Sequence, residues 1–479
     1  VSGADSVHKE DFTAVALSTE KENLGAFECS DSRLNRLYQN IRWSQRSNML
    51  SIPTDCPSRE KGGFTGDIQI YAKTAMLNEE MTPFLTGWLK NLKAAQAENG
   101  AVPITVPETA PYRRLIAANA REFGDEPPVG VAGWSDAAVL VPYTMYRLTG
   151  NRRILEEQYE SMTHWCGYII RTAEGRRGDF GLPHEVDSVL WNTGFHFGEW
   201  LIPSEEKGIT QKEACQRSAF YTAPIFGYLS VKCMAEISEV LQKPEKAYYS
   251  RTAGQMKAAI QTALICDGEL RSQNMGAYVL MIAFDLVPEH CKEHFAQKLI
   301  SLLDSHHGCL DTGFLATPFL LDAFVKIGRR DLAIKLLWQT RMPSWLYEVE
   351  QGATSVWESW DAITPGSEPR ITSYNHYAFG CVDAWIFENI AGIRALEPGF
   401  RRVEIAPDPD GLPLEYCRRS FRCEYGELLV FWDRQTLRVS IPCGVRAVIR
   451  WQGASHEVGS GEYTFTEPHR GGDQNERTG

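Results

Sequence analysis

The chain of 479 residues lacks any run of 18 apolar residues, so no membrane-spanning helix is read from it. It lacks an excess of positive charge: 49 basic residues face 61 acidic ones, a net charge of -12. That balance disfavours nucleic acid or an anionic membrane surface as partner. Short basic clusters such as Arg418, Arg419 and Arg422 read as solvated faces. The twelve cysteines contain no Cys-x-x-Cys pair, and no histidine pair follows at zinc-finger spacing. His306-His307 has no supporting ligand pattern, so no metal is assigned. The first twelve residues show no basic start followed by an apolar core, so no secretory leader is read there. Cys166, Cys215 and Cys233 sit in apolar helical text and read as buried reduced thiols, and the expectation is a reducing, cytoplasmic setting. No clean internal repeat is present.

Aromatic residues, by contrast, are plentiful: 13 Trp, 18 Tyr and 21 Phe. Packing is their default use. Indoles beside carboxylates also suit carbohydrate recognition, because sugar rings pack an apolar face on aromatic planes while their hydroxyls bond polar groups.

From about Ser32, Leu34, Leu37, Ile41 and Trp43 recur at helical spacing behind Ser30 or Asp31 as cap. Further helices are read over 67–78, 82–98, 135–149, 153–173, 213–240, 244–264, 273–285, 289–304, 313–327, 330–341 and 373–391. Long loops at 99–133, 174–212 and 342–372 separate them, where sites usually lie on a helical scaffold. After Pro398-Gly399, strands are read at 403–405, 428–432, 437–441 and 447–451. The fold class expected is mainly α: an (α/α)6 toroid followed by a small antiparallel β-sandwich. The expected divisions are an N-terminal arm or remnant of a β domain (1–30, with alternation at 13–17), the toroid (31–394), the sandwich (395–467) and a disordered polar tail (468–479).

Two segments concentrate the chemistry. Asp55-Cys56-Pro57-Ser58-Arg59-Glu60-Lys61-Gly62-Gly63-Phe64-Thr65-Gly66-Asp67 packs three carboxylates and two cations into a tight loop ahead of a helix. In Gly352 to Asp361, Glu358 lies between Trp357 and Trp360. A carboxylate walled by indoles is partly desolvated, which poises it for proton transfer near neutrality. A solvated loop and a surface glutamate between core indoles are the plain alternatives. Gly133-Trp134-Ser135-Asp136 and Gly198-Glu199-Trp200 repeat the acid-beside-Trp theme, and Ser373-Tyr374-Asn375-His376 places a histidine at a helix start. Two carboxylates flanking a glycosidic bond are the minimum for its hydrolysis.

The first segment, together with Gly133–Ala137, Phe197–Leu201, Thr312–Phe314, Pro343–Trp345, Gly352–Trp360 and Asn375–Ala378 in order, resembles the signature of bacterial α-L-rhamnosidases, over roughly residues 25–465. The resemblance implies an (α/α)6 barrel that releases terminal non-reducing α-L-rhamnose from a rhamnose-containing glycoside with inversion and without a cofactor. It implies Glu60 as general acid, its pKa raised by apolar surroundings and nearby carboxylates, and Glu358 as general base. Asp55, Asp67 and Arg59 would orient sugar hydroxyls or carboxylates, Trp134 would wall the pocket, and His376 would contact sugar near the base. Phe64, Glu199 and Trp360 complete the expected binding set. Phe64 stands where the family has Trp and loses an indole N–H; Glu199 stands where Asp is usual. The chain starts almost at the barrel, as a trimmed fragment or a minimal member of the family would. Another (α/α)6 carbohydrate enzyme, a phosphorylase included, and a non-catalytic sugar binder on the same scaffold are the other readings.

Overall fold

The computed structural model describes residues 6–15, 17–19, 21–110, 114, 129–175, 182–204 and 210–466. The expected tail 468–479 lies outside them.

The helices are α1 (Ser32–Asn48), α2 (Thr65–Asn78), α3 (Thr82–Ala95), α4 (Ala137–Thr149), α5 (Arg152–Gly175), α6 (Gln211–Val240), α7 (Lys246–Leu264), α8 (Met275–Ala283), α9 (Lys292–Ser305), α10 (Thr317–Lys326), α11 (Arg330–Leu337), α12 (Trp345–Glu350) and α13 (Val382–Trp385). Local chemistry starts and stops them. Asp31 accepts the Arg33 amide ahead of α1, Thr210 and Glu213 form a reciprocal cap on α6, and Gly150 ends α4 at φ +73°. Two layers are distinguishable by burial. Every residue of α2 except Lys73 is buried, and so is α8 from Met275 to Ile282, as inner helices must be. Outer helices bury one stripe: α3 covers the core with Leu85, Trp88, Leu89 and Leu92. Residues just ahead of α2, α4 and α10, namely Phe64, Trp134 and Phe314, line one cavity.

Apart from a two-stranded ribbon, Ile265–Cys266 with Glu269–Leu270, the strands are β1 (Phe27–Cys29), β2 (Ile393–Ala395), β3 (Arg402–Ile405), β4 (Tyr416–Cys423), β5 (Gly426–Asp433), β6 (Thr436–Ile441), β7 (Arg446–Trp451), β8 (Ala454–Val458) and β9 (Gly461–Thr466). One antiparallel sheet runs β1-β4-β5-β6-β9 and a second runs β8-β7-β3-β2, with β3 and β7 parallel. The alternation at 13–17 forms no strand; Val15 and Leu17 are exposed. The N-terminal strand lies at Phe27–Cys29 instead and adds itself to the C-terminal sheet, Cys29 opposite Cys417.

A buried ion pair fixes the sandwich to the helices. Arg419 on β4 donates to both oxygens of Asp383 on α13, at 3.1 and 3.2 Å, and to Asn78 at the end of α2. Both charged side chains are fully buried, and the guanidinium lies 5.0–5.8 Å from the rings of Tyr38, Phe387 and Phe27.

The helix expected over 373–391 begins later. Residues 373–377 are irregular, a 3₁₀ turn covers Ala378–Cys381, and α13 continues into a π turn, Ile386–Ile390. The Ser373 backbone is taken up by Glu358, so it cannot join a helix.

Candidate active site

The mouth of the inner helices holds a cavity of about 80 Å³ lined by Asp55, Glu60, Phe64, Asp67, Trp134, Phe197, Trp200, Phe314, Glu358 and His376. Its residues come from just before, or in the first turn of, inner elements: Phe64 caps α2, Asp67 lies in its first turn, and Trp134 precedes α4.

The loop carrying Glu60 closes on itself. Asp55 donates its amide to the Gly62 carbonyl, and the Gly62 amide donates back to Asp55 Oδ1 at 2.8 Å. At Gly66 a Cβ would lie 2.6 Å from the Trp134 indole, so glycine lets that ring settle against the start of α2.

The segment carrying Glu358 is held from outside. The Ala353 carbonyl accepts from Arg36 and Asn40, and the Val356 amide donates to Ser44, all on α1. His376 N donates to Val356 O, and Glu358 N to Ser373 O. Glu358 Oε2 accepts from Thr372 Oγ1 at 3.0 Å, Ser373 N at 2.9 Å and Arg59 Nη1 at 3.1 Å. The indoles do not wall it as expected. Trp357 packs among Tyr347, Ala353, Ala362 and Tyr374. Trp360 stacks on Phe379 and lines a separate cavity of about 580 Å³ beside Asp361.

Arg59 joins the two carboxylates, its guanidinium 3.4 Å from Glu60 and 3.1 Å from Glu358. The protonation pattern departs from the sequence expectation. Burial pushes the Glu60 carboxyl up, but its own backbone amide, the Arg59 charge and donors from Cys56 and Asp55 outweigh it and hold Glu60 below its usual range. Asp55 is the raised group. Burial takes it to about 7; the His376 charge opposes this, and the Asp67 and Glu60 carboxylates reinforce it. One proton therefore belongs to the Asp55–Glu60 pair and rests on Asp55.

Deeper in, His376 Nε2 lies 3.1 Å from Asp67 Oδ1, both side chains buried. Burial disfavours the imidazolium, yet Asp67, Glu358 and Asp55 outweigh it and raise His376 to about 9. Asp67 is itself raised by burial, with His376 pulling it back.

The same cavity carries an aromatic cluster: Trp134 and Phe197 have ring centroids 4.8 Å apart, Phe197 and Trp200 5.3 Å. A cavity with both aromatic and hydrogen-bonding residues suits a single sugar ring. Asp55, Cys56 and Glu60 also bring ligand atoms within 4.8 Å of one another. Burial pushes the Cys56 thiol up to about 12, and it donates to Glu60 at 3.3 Å.

Seven of the ten residues expected from the sequence line the cavity: Asp55, Glu60, Phe64, Asp67, Trp134, Glu358 and His376. Arg59 reaches its two carboxylates. The other two, Trp360 and Glu199, do not line this cavity. Trp360 faces the neighbouring cavity. Glu199 lies behind the wall, where Oε1 accepts the Ala316 amide at 2.9 Å and the carboxylate fills the space left by Gly276. Phe197, Trp200 and Phe314 line the cavity without having been singled out. They flank the very acid and glycines that drew attention in Phe197–Leu201 and Thr312–Phe314; their signal was the aromatic, not the acid.

A model of the bacterial alpha-L-rhamnosidase 6 hairpin glycosidase domain matches residues 22–390, and one of the bacterial alpha-L-rhamnosidase C-terminal domain matches residues 392–464. The chain is 33% identical to an alpha-L-rhamnosidase of Streptomyces avermitilis over 92% of its own length and 42% of the relative's. It is also 33% identical to one of Formosa agariphila, over 91% and 44%. The chain thus spans less than half the length of these relatives. The crystal structure of the Streptomyces avermitilis alpha-L-rhamnosidase complexed with L-rhamnose superposes with a TM-score of 0.81 at 32% identity, covering 94% of this chain and 43% of that one. The enzyme from Aspergillus terreus gives 0.83 at 30%, covering 96% and 52%. The chain belongs to the bacterial α-L-rhamnosidase family, and its fold is the six-hairpin (α/α)6 toroid with a C-terminal sandwich.

Proposed function

We propose that this chain carries the catalytic centre of an α-L-rhamnosidase that removes a terminal α-L-rhamnose by single displacement. The observation that carries the proposal is the pairing of Glu60 and Glu358 across one guanidinium, at the edge of a cavity with an aromatic cluster. The kinship to a relative solved with L-rhamnose supports the choice of sugar.

Rhamnose packs against Trp134, Phe197 and Trp200, while Asp55, Asp67 and His376 take its hydroxyls. Phe64 keeps an apolar face there but offers no N–H. Glu358, held in place by Arg59, Thr372 and the Ser373 amide, takes a proton from a water molecule as the water oxygen bonds C1. The C1–O bond breaks, and Glu60 gives the departing oxygen the proton that the Asp55–Glu60 pair supplies. Inverting glycosidases hold their two carboxyls about 6.5–9.5 Å apart.

The test is release of p-nitrophenol from its α-L-rhamnopyranoside beside a panel of other aryl glycosides. Turnover confined to the rhamnoside is expected. A rate that depends on phosphate would favour a phosphorylase, and rhamnose binding without hydrolysis of any rhamnoside would favour a sugar-binding protein.

A further inference from the structure

Three segments that line the cavity are backed by a buried carboxyl. Asp136 accepts the Gly133 amide at 2.7 Å, Trp165 Nε1 at 3.0 Å and Ser230 Oγ at 2.6 Å, and so holds the turn bearing Trp134. Glu199 holds the Ala316 amide just after Phe314. The third is Glu348, on α12 behind the proposed base. Its Oε2 accepts the Trp357 amide at 3.2 Å, and its backbone carbonyl accepts the Ala353 amide at 3.0 Å. One residue thus pins both ends of the stretch that leads into Glu358.

Glu348 is 2% exposed, and its Oε1 meets no hydrogen-bond partner among the described residues. Burial raises this carboxyl well above its usual range, and the Trp357 amide offsets only part of that. A leucine here would avoid an unpartnered oxygen, so packing does not account for a glutamate. What the glutamate adds is the bond to Trp357.

We propose that Glu348 is a positioning residue for the reaction: by accepting the Trp357 amide it sets the direction in which Glu358 enters the cavity. The proposal rests on Glu358 being the base, as proposed above. Glu348→Gln keeps an acceptor oxygen in nearly the same place; Glu348→Leu removes it. With an aryl α-L-rhamnoside, the Leu variant should lose about 10–10²-fold in kcat, the size of effect that a small misplacement produces, with little change in KM. The acidic limb of its pH profile should shift, and the Trp357 amide should exchange hydrogen faster. The Gln variant should match the parent in all of these. A Leu variant with parental kcat, pH profile and exchange overturns the proposal, and so does a Gln variant as impaired as Leu. If the parent hydrolyses no rhamnoside, the functional reading fails instead, and exchange decides this one. Protection lost in Leu and kept in Gln supports the positioning role; equal protection in all three overturns it.

Discussion

At the seam between helices and sandwich, one guanidinium meets one carboxylate, sealed from water and ringed by Phe27, Tyr38 and Phe387. In the cavity, Asp55, Glu60, Asp67 and Glu358 share one guanidinium and one imidazole. The seam is balanced, so no proton has to move for it to be stable. The cavity is short of positive charge, and protons make up the deficit, on Asp55 and on His376. A matched pair is architecture; an unmatched cluster is a place where protons can be given and taken.

Removing a charge should therefore do opposite things in the two places. The largest effect is expected at the base: Glu358→Gln should lower kcat by about 10²–10⁴-fold on an aryl α-L-rhamnoside while leaving the melting temperature nearly unchanged. At the seam, Arg419→Met strands Asp383 in the interior and should cost about 3–5 kcal/mol in denaturant unfolding, with turnover per folded molecule retained. Adding Asp383→Leu should recover part of that loss, because no lone charge then remains buried.

Glu60→Gln should slow substrates with poor leaving groups by about 10²-fold or more, and an activated p-nitrophenyl rhamnoside much less, because that leaving group needs little protonation. Equal loss on both would count against an acid role. The smallest effect is in pH. Asp55 is raised to about 7, so the pair keeps its proton below that pH and loses it above. The kcat/KM for a poor leaving group should fall as pH rises through about 7, and Asp55→Asn should move that limb.

Much of this site was legible in the sequence where residue types are crowded. Asp55 to Asp67 and Gly352 to Asp361 are dense, and both of their proposed catalytic carboxylates meet in space. Direction was harder to read. Whether an acid beside an indole faces the cavity or the core depends on the turn that carries it, and Gly198, at φ +62°, leaves Glu199 beneath Ala316 while Phe197 and Trp200 take the wall. Protonation was harder still. Asp55 and Glu60 look alike as letters; burial raises Asp55, while Glu60 is held down by its own backbone amide, the Arg59 charge and the donors on it, and together these send the proton to Asp55. In the fold, the helical periods carried most of α1–α11. β1 escaped notice because three residues, Phe27–Cys29, show no period; their strand exists only through pairing with β4, far along the chain.

The claim at the centre is that Glu358 directs water to the sugar rather than attacking it. The direct measurement is proton NMR of the first rhamnose released from an α-L-rhamnoside, before mutarotation. The account predicts the β anomer first. The α anomer first would contradict it, because retention requires a carboxylate nucleophile in place of water.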